Sequence, residues 1–335
     1  MTLSRRTLFE LTGAPLALAF PSGAPPDPSP IRPEPTWVQW ESAEIRIENG
    51  RILVSTGLVE RTWRWANGAL LGQSLRHLHS GRTWTATAPA WGAGDAGPGQ
   101  LIRLSAEVIR FDPFTSDHLL LTAEVAYPDP GLHARWQVTA YPNAPGLRTQ
   151  LFLRADTAPS VPPATSWVDA LPASPRAARQ RAFGYFNHTQ GRNTRETPIL
   201  REEVWDARQA PPSIDWASGL ALEDDAGGLC VIKESHKCVN QAGVDTGAFL
   251  LRDGALFNTG CGPAPADLVS PEFRWCWATW TVLWSGGGDH RELAIKQFDR
   301  ARFPVDAKRD IYVMANTWGS GADKQESLEA SREEN

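Results

Sequence analysis

Hydrophobic and polar positions alternate with a period of two over much of the first half of the chain, the signature of half-buried strands. Glu44-Ile45-Arg46-Ile47-Glu48 alternates, Asn49-Gly50 interrupts, and Arg51-Ile52-Leu53-Val54 returns. Asn-Gly between two such runs predicts a tight hairpin, because both residues tolerate positive φ. Leu58-Val59-Glu60-Arg61-Thr62-Trp63-Arg64-Trp65 predicts the next strand, with Asn67-Gly68 as a second turn. Longer strands follow at 101–111, 119–127, 133–141 and 147–153, with Pro and Asp at the joints. This spacing predicts an antiparallel sandwich.

Residues 155–212 break the pattern with eight prolines and a basic stretch, Arg176–Arg181, and read as a long excursion with a few short elements. Sheet patterning resumes at Gly228–Lys233. In 273–284, Phe273, Trp275 and Trp277 share one parity while Trp280, Val282 and Trp284 take the other. A parity switch within a strand calls for a β-bulge near Ala278-Thr279, or for burial of both faces. Asp289–Arg302 carries helical spacing through Leu293, Ile295 and Phe298 and stops at Phe303-Pro304. A short apolar strand, Ile311–Ala315, leads into Asn316-Thr317-Trp318-Gly319, and Asp323-Lys324-Gln325-Glu326 has the form of a capping box opening another helix. A buried strand running into a helix is the first step of an α/β domain.

With 335 residues, 41% hydrophobic and 21% charged, the chain has room for about two domains and is neither disordered nor membrane-like in bulk. A net charge of -5 without a Lys/Arg run argues against a nucleic-acid partner. The 28 Gly and 27 Pro suit turns and short strands. The N-terminal Ser4-Arg5-Arg6-Thr7-Leu8-Phe9 resembles the twin-arginine export signature, with Arg5 and Arg6 as its basic pair and Ser22-Gly23-Ala24 as a cleavage site. Its apolar stretch, Leu11–Phe20, falls far short of the roughly 20 residues that span a bilayer, so no membrane span is expected. The exported, periplasmic or extracellular chain would thus begin with a proline-rich linker, 25–35. Four cysteines lie between Cys230 and Cys276, and their spacing fits no zinc pattern. An oxidising compartment could pair some of them, in any of three connectivities, or all four could be buried thiols. No metal and no cofactor are expected.

The sequence has no nucleophile elbow, phosphate loop, dinucleotide fingerprint or HExxH. His77-x-His79 would put two imidazoles on one strand face, which metals and aldose-epimerase-like acid/base sites can use, although exposed strand histidines are the commoner explanation. His236 and Asp224-Asp225 fit plain turns. Fifteen Trp against 4 Tyr is unusual: indole faces stack on sugar C–H faces, yet Trp63, Trp65, Trp275, Trp277 and Trp280 mostly read as sandwich core. Trp318 differs, because it lies just past the C-terminal end of an α/β strand, where barrel enzymes place ligand groups. Trp318 and Asn316 are the candidate substrate-binding residues, and no Asp or Glu qualifies as catalytic.

Leu58–Arg64, the long β-rich region, the helix at Asp289–Arg302 and Val313-Met314-Ala315-Asn316-Thr317-Trp318 together resemble the retaining α-galactosidases of glycoside hydrolase family 36. The resemblance implies a mainly β fold: a large antiparallel β-supersandwich (36–285), a linker helix (286–308), and at 309–335 the first βα unit of an incomplete (β/α)8 barrel. It implies a carbohydrate substrate, Trp318 as a wall of the terminal-sugar subsite with Asn316 in support, and a subunit contact as in a homo-oligomer. The family's two catalytic carboxylates lie on later barrel strands, and only 17 residues follow Trp318. The chain is therefore expected to be the N-terminal portion of such an enzyme and inactive alone. The rival expectation is a non-catalytic sugar-binding sandwich with Trp-lined grooves.

Overall fold

The computed structural model describes residues 35–92, 98–127, 131–158, 166–174, 177–185, 200–235 and 247–310. The chain opens with a six-stranded antiparallel meander: β1 (Thr36–Trp40), β2 (Ala43–Glu48), β3 (Arg51–Ser55), β4 (Val59–Ala66), β5 (Ala69–His77) and β6 (Thr83–Pro89). Both Asn-Gly turns form as the alternation predicts, with φ of +50° and +75° at Asn49-Gly50 and +52° and +73° at Asn67-Gly68. A second meander follows: β7 (Gln100–Ile109), β8 (His118–Tyr127), β9 (Leu132–Ala140) and β10 (Gly146–Ala155).

The stretch read as a loose excursion is more regular than expected. It holds β11 (Trp167–Pro172), β12 (Arg179–Tyr185) and β13 (Leu200–Asp206). The basic run forms a strand because its cations find partners across the sheet: Arg181 binds Glu202 at 2.6 Å and Glu223 at 2.9 Å, while Gln180 and Ala182 point into the interior. After β14 (Ser213–Ile214) come β15 (Gly219–Asp224), β16 (Gly227–Glu234), β17 (Phe249–Arg252), β18 (Ala255–Thr259), β19 (Arg274–Trp275) and β20 (Ala278–Ser285).

These strands form three antiparallel sheets among the described residues. Beside the six-stranded meander stands a ten-stranded sheet in the order β13-β12-β15-β16-β20-β10-β9-β8-β7, with β19 also on β10. The third sheet has the order β11-β18-β17-β14. The fold is thus mainly β, a large sandwich. Its centre is aromatic: Trp63 from β4 meets Trp136 from β9 edge-on, ring centroids 5.2 Å apart, and Trp91 packs on Trp136 at 5.7 Å. Trp63 and Trp136 are fully buried, and removing one such indole leaves a large void, a loss of about 3–5 kcal/mol.

The parity switch is real. Thr149 pairs Thr279 and Phe152 pairs Trp275, so three steps along β10 match four on the other side. One extra residue is accommodated at Cys276-Trp277, slightly earlier than the predicted bulge site. Both faces of β20 are also buried: Leu283 enters the main core, while Val282 and Trp284 enter a second apolar cluster. That cluster receives helix α1 (His290–Arg302) through Ala294 and Phe298, spaced four apart. Leu293, expected on the buried side, is 52% exposed. A last turn of helix, α2 (Ala307–Asp310), ends the described chain. The strand predicted at 311–315, with Asn316 and Trp318 beyond it, lies outside the described residues. So do Arg5, Arg6, His236 and Cys238.

Candidate functional site

Helix α1 crosses the ten-stranded sheet on the face turned away from the six-stranded one, and three elements converge at its C-terminal end. The Glu234 carboxylate, at the end of β16, accepts from Arg148 Nε at 3.0 Å and from Arg148 Nη2 at 2.8 Å. It also accepts from Arg302 on the last turn of α1 and from the indole N–H of Trp280 on β20. The Phe298 ring packs edge-on against Trp280 at 5.2 Å and against Tyr141 at 6.3 Å. The Arg302 carbonyl accepts from the Ser116 N–H in the turn before β8, at 3.0 Å. Burial alone would raise the Glu234 carboxyl. The hydrogen bonds and charge of Arg148, with the Arg302 guanidinium and the Trp280 N–H, outweigh burial and hold it at about 2. An acid held there gives up no proton to a leaving group at neutral pH. Glu234 therefore clasps the helix to the sheet, and Asp310, eight residues past Arg302, carries the chain on towards Asn316 and Trp318.

Other carboxylates of the sandwich are committed in the same way. Arg61, in the Leu58–Arg64 motif, makes a bidentate pair with Asp169 of β11 at 2.9 and 2.7 Å, with both side chains fully buried. Arg61 also donates to the Ala170 carbonyl at 2.8 Å and lies over the Trp63 ring, while Thr149 of β10 donates to Asp169 at 2.6 Å. One residue from each of the three sheets thus meets at this pair. Glu223 is held between Arg181 and Arg291, and Asp224 takes both terminal nitrogens of Arg82 at 2.7 Å. Asp224 is lowered chiefly by that hydrogen bond to Arg82. Nucleophile or general-acid duty would require freeing these groups from their arginines.

The histidine pair expected on one strand face is not assembled. Strand β5 ends at His77, and His79 sits exposed in the following turn. His77 is buried, with Nδ1 at 2.8 Å from Ser80 Oγ. Burial and the charge of His79 lower its pKa, which leaves it a neutral turn-former.

Sequence reasoning missed one feature. Trp275, assigned to the core, is 57% exposed, and Trp277 braces it edge-on at 5.5 Å. Opposed residues in an antiparallel pair share a face, so Trp275 lies beside Phe152, its partner on β10. Nearby, the Phe273 ring carries the guanidinium of Arg135 at 4.1 Å and that of Arg154 at 5.4 Å, and Arg135 is itself paired with Glu124 at 2.8 Å. The signal lay in the parity switch, which turns Trp275 onto the face of β10 that carries Phe152, away from Leu151 and Leu153 in the core. Trp37, 65% exposed on edge strand β1, is a second open indole.

No family model matches this sequence, and no curated protein matches it. Solved structures do match its fold. A GH36 alpha-galactosidase, AgaA from Geobacillus stearothermophilus, is 12% identical with a TM-score of 0.50, over 78% of this chain and 44% of that one. A variant of the same enzyme in complex with raffinose, 11% identical, matches at 0.50 over 77% and 44%. A further variant, in complex with 1-deoxygalactonojirimycin, matches at 11% identity and 0.50 over the same shares. This chain spans less than half the length of those structures, and at such identity the likeness is one of fold. Among the described residues, no helix is long and apolar enough to cross a membrane.

Proposed function

We propose that this chain carries the supporting β-supersandwich of a retaining, α-galactosidase-type glycoside hydrolase, with Asn316 and Trp318 on the wall of its terminal-sugar subsite. The observation that carries the reading is the order of parts: a large sandwich of that fold, helix α1 clasped to it at Glu234, and the chain passed at Asp310 to a segment bearing Asn316-Thr317-Trp318. The sandwich's role is mechanical. It fixes where the segment after Asp310 starts, and its buried acids serve the fold.

Retaining hydrolysis needs a nucleophile and an acid/base carboxyl about 5–5.5 Å apart across the scissile bond. Asp169, Glu223 and Glu234 are each tied to arginine, which supports a reading in which that pair comes from outside the sandwich. The substrate class is an α-galactoside such as raffinose, met first by the flat face of Trp318. The proposal extends to a homo-oligomer and to export through Arg5 and Arg6, a step that replacing both with lysine would block.

The purified 335-residue chain should bind raffinose weakly, lose that binding in Trp318→Ala, and give no turnover of an aryl α-galactoside. Turnover by this chain alone would overturn the reading. Exposure of Trp275, backed by Trp277, favours one rival, a sandwich that binds sugar by itself. Under that rival, binding survives deletion of 311–335 and fails in Trp275→Ala.

A further inference from the structure

Cys261 and Cys276 reach the same place from different sheets. Cys261 follows β18 of the four-stranded sheet, and Cys276 occupies the break between β19 and β20 of the ten-stranded one. The backbone holds them together: the Trp277 N–H donates to the Cys261 carbonyl at 3.1 Å, and the Cys276 N–H donates to the Leu151 carbonyl at 2.8 Å. Gly260-Cys261-Gly262 permits this approach. Both glycines are left-handed, at φ +88° and +97°, and a Cβ on Gly262 would come within 2.8 Å of the Trp277 indole. Both side chains are buried in the main core, where the structure holds them as free thiols. Cys230 is buried elsewhere, in the apolar cluster beneath α1.

We propose that Cys261 and Cys276 are a modification site, an intramolecular disulfide that staples the four-stranded sheet to the ten-stranded one. The oxidant is a disulfide compound of the oxidised-glutathione class. One cysteine thiolate attacks its S–S bond, forming a mixed disulfide and releasing one glutathione thiol. The second cysteine thiolate then attacks the mixed disulfide, forming the Cys261–Cys276 bond and releasing the other glutathione. The protein gives up two electrons and two protons, and the oxidant's disulfide becomes two thiols. Burial and the adjacent Cys261 push the Cys276 thiol well above its usual range, so the exchange belongs to the folding chain rather than to the closed core. The loop it closes, 262–275, presents Phe273 and Trp275.

The test is refolding of the full chain in a reduced/oxidised glutathione buffer, followed by alkylation, digestion and mass spectrometry. A peptide pair joining Cys261 to Cys276 is expected, with Cys230 recovered as a free thiol. Closing a loop of about 15 residues should raise the melting midpoint by roughly 6–12 °C over the same protein refolded in dithiothreitol. The Cys230→Ser/Cys238→Ser variant should keep both the linked peptide and the shift, and Cys261→Ala/Cys276→Ala should lose both. Recovery of Cys261 and Cys276 alkylated after oxidative refolding, linkage of either to Cys230 or Cys238, or identical midpoints in the two buffers would overturn the proposal.

Discussion

Two arginine–carboxylate junctions hold this molecule, and they differ in how much water reaches them. The Arg61–Asp169 pair is fully buried and joins a strand from each sheet. The Glu234 clasp is 28% exposed and joins a finished sheet to the one long helix among the described residues. A buried pair has already given up its hydration, so losing one partner strands a charge in the core. A rim clasp can open and let both partners return to water. The first junction belongs to the fold as a whole; the second belongs to a single docking event, that of α1 on the ten-stranded sheet.

The sharpest way to break this comparison is Asp169→Asn, which leaves Arg61 without its counter-charge. A loss of about 3–5 kcal/mol is expected by urea unfolding, with all three sheets lost together. The apolar pair Arg61→Met/Asp169→Leu should regain most of it; equal damage from the double variant would show that the ion pair itself is not the issue.

Glu234→Gln should cost less, about 1–3 kcal/mol, and locally. Hydrogen exchange should quicken across 290–302 while the amides of β8 and β9 stay protected. Uniform loss of protection would erase the distinction between the two junctions.

Acid sharpens the same point. The Glu234 carboxyl is depressed in the folded state, so its contribution is complete above the ordinary value of 4.5 and fades as the pH falls through about 2. The shift corresponds to something on the order of 3 kcal/mol. The stability gap between wild type and Glu234→Gln should therefore be flat above pH 5 and narrow steadily below pH 4.5. A gap that widens on acidification would contradict the assignment. Trp275→Ala should be the mildest change, within about 0.5 kcal/mol, because the ring is mostly solvated.

Much of the sandwich was legible because its strands advertise themselves locally. Period-two alternation with Asn-Gly turns located β2 to β4, and the parity switch in 273–284 announced a bulge that the structure forms two residues earlier, at Cys276-Trp277. Strands β11 to β13 were not, since their pattern makes sense only opposite partners far along the chain: Arg181 reads as a basic loop until Glu202 and Glu223 are set beside it. Arg61 and Asp169, 108 residues apart, could not be paired from sequence for the same reason. Trp275 looked like core because its apolar neighbours share its parity, while its exposure follows from the single residue inserted at Cys276-Trp277. At the candidate site the Asn316-Thr317-Trp318 motif was visible, and what the fold adds is the clasped helix that leads to it.

The most direct test of the functional account is a raffinose titration of the full chain, followed by indole fluorescence and repeated with Trp318→Ala and Trp275→Ala. Saturable binding that vanishes in Trp318→Ala and persists in Trp275→Ala is the result this account requires. No binding by the unaltered chain, or binding indifferent to Trp318, would contradict it.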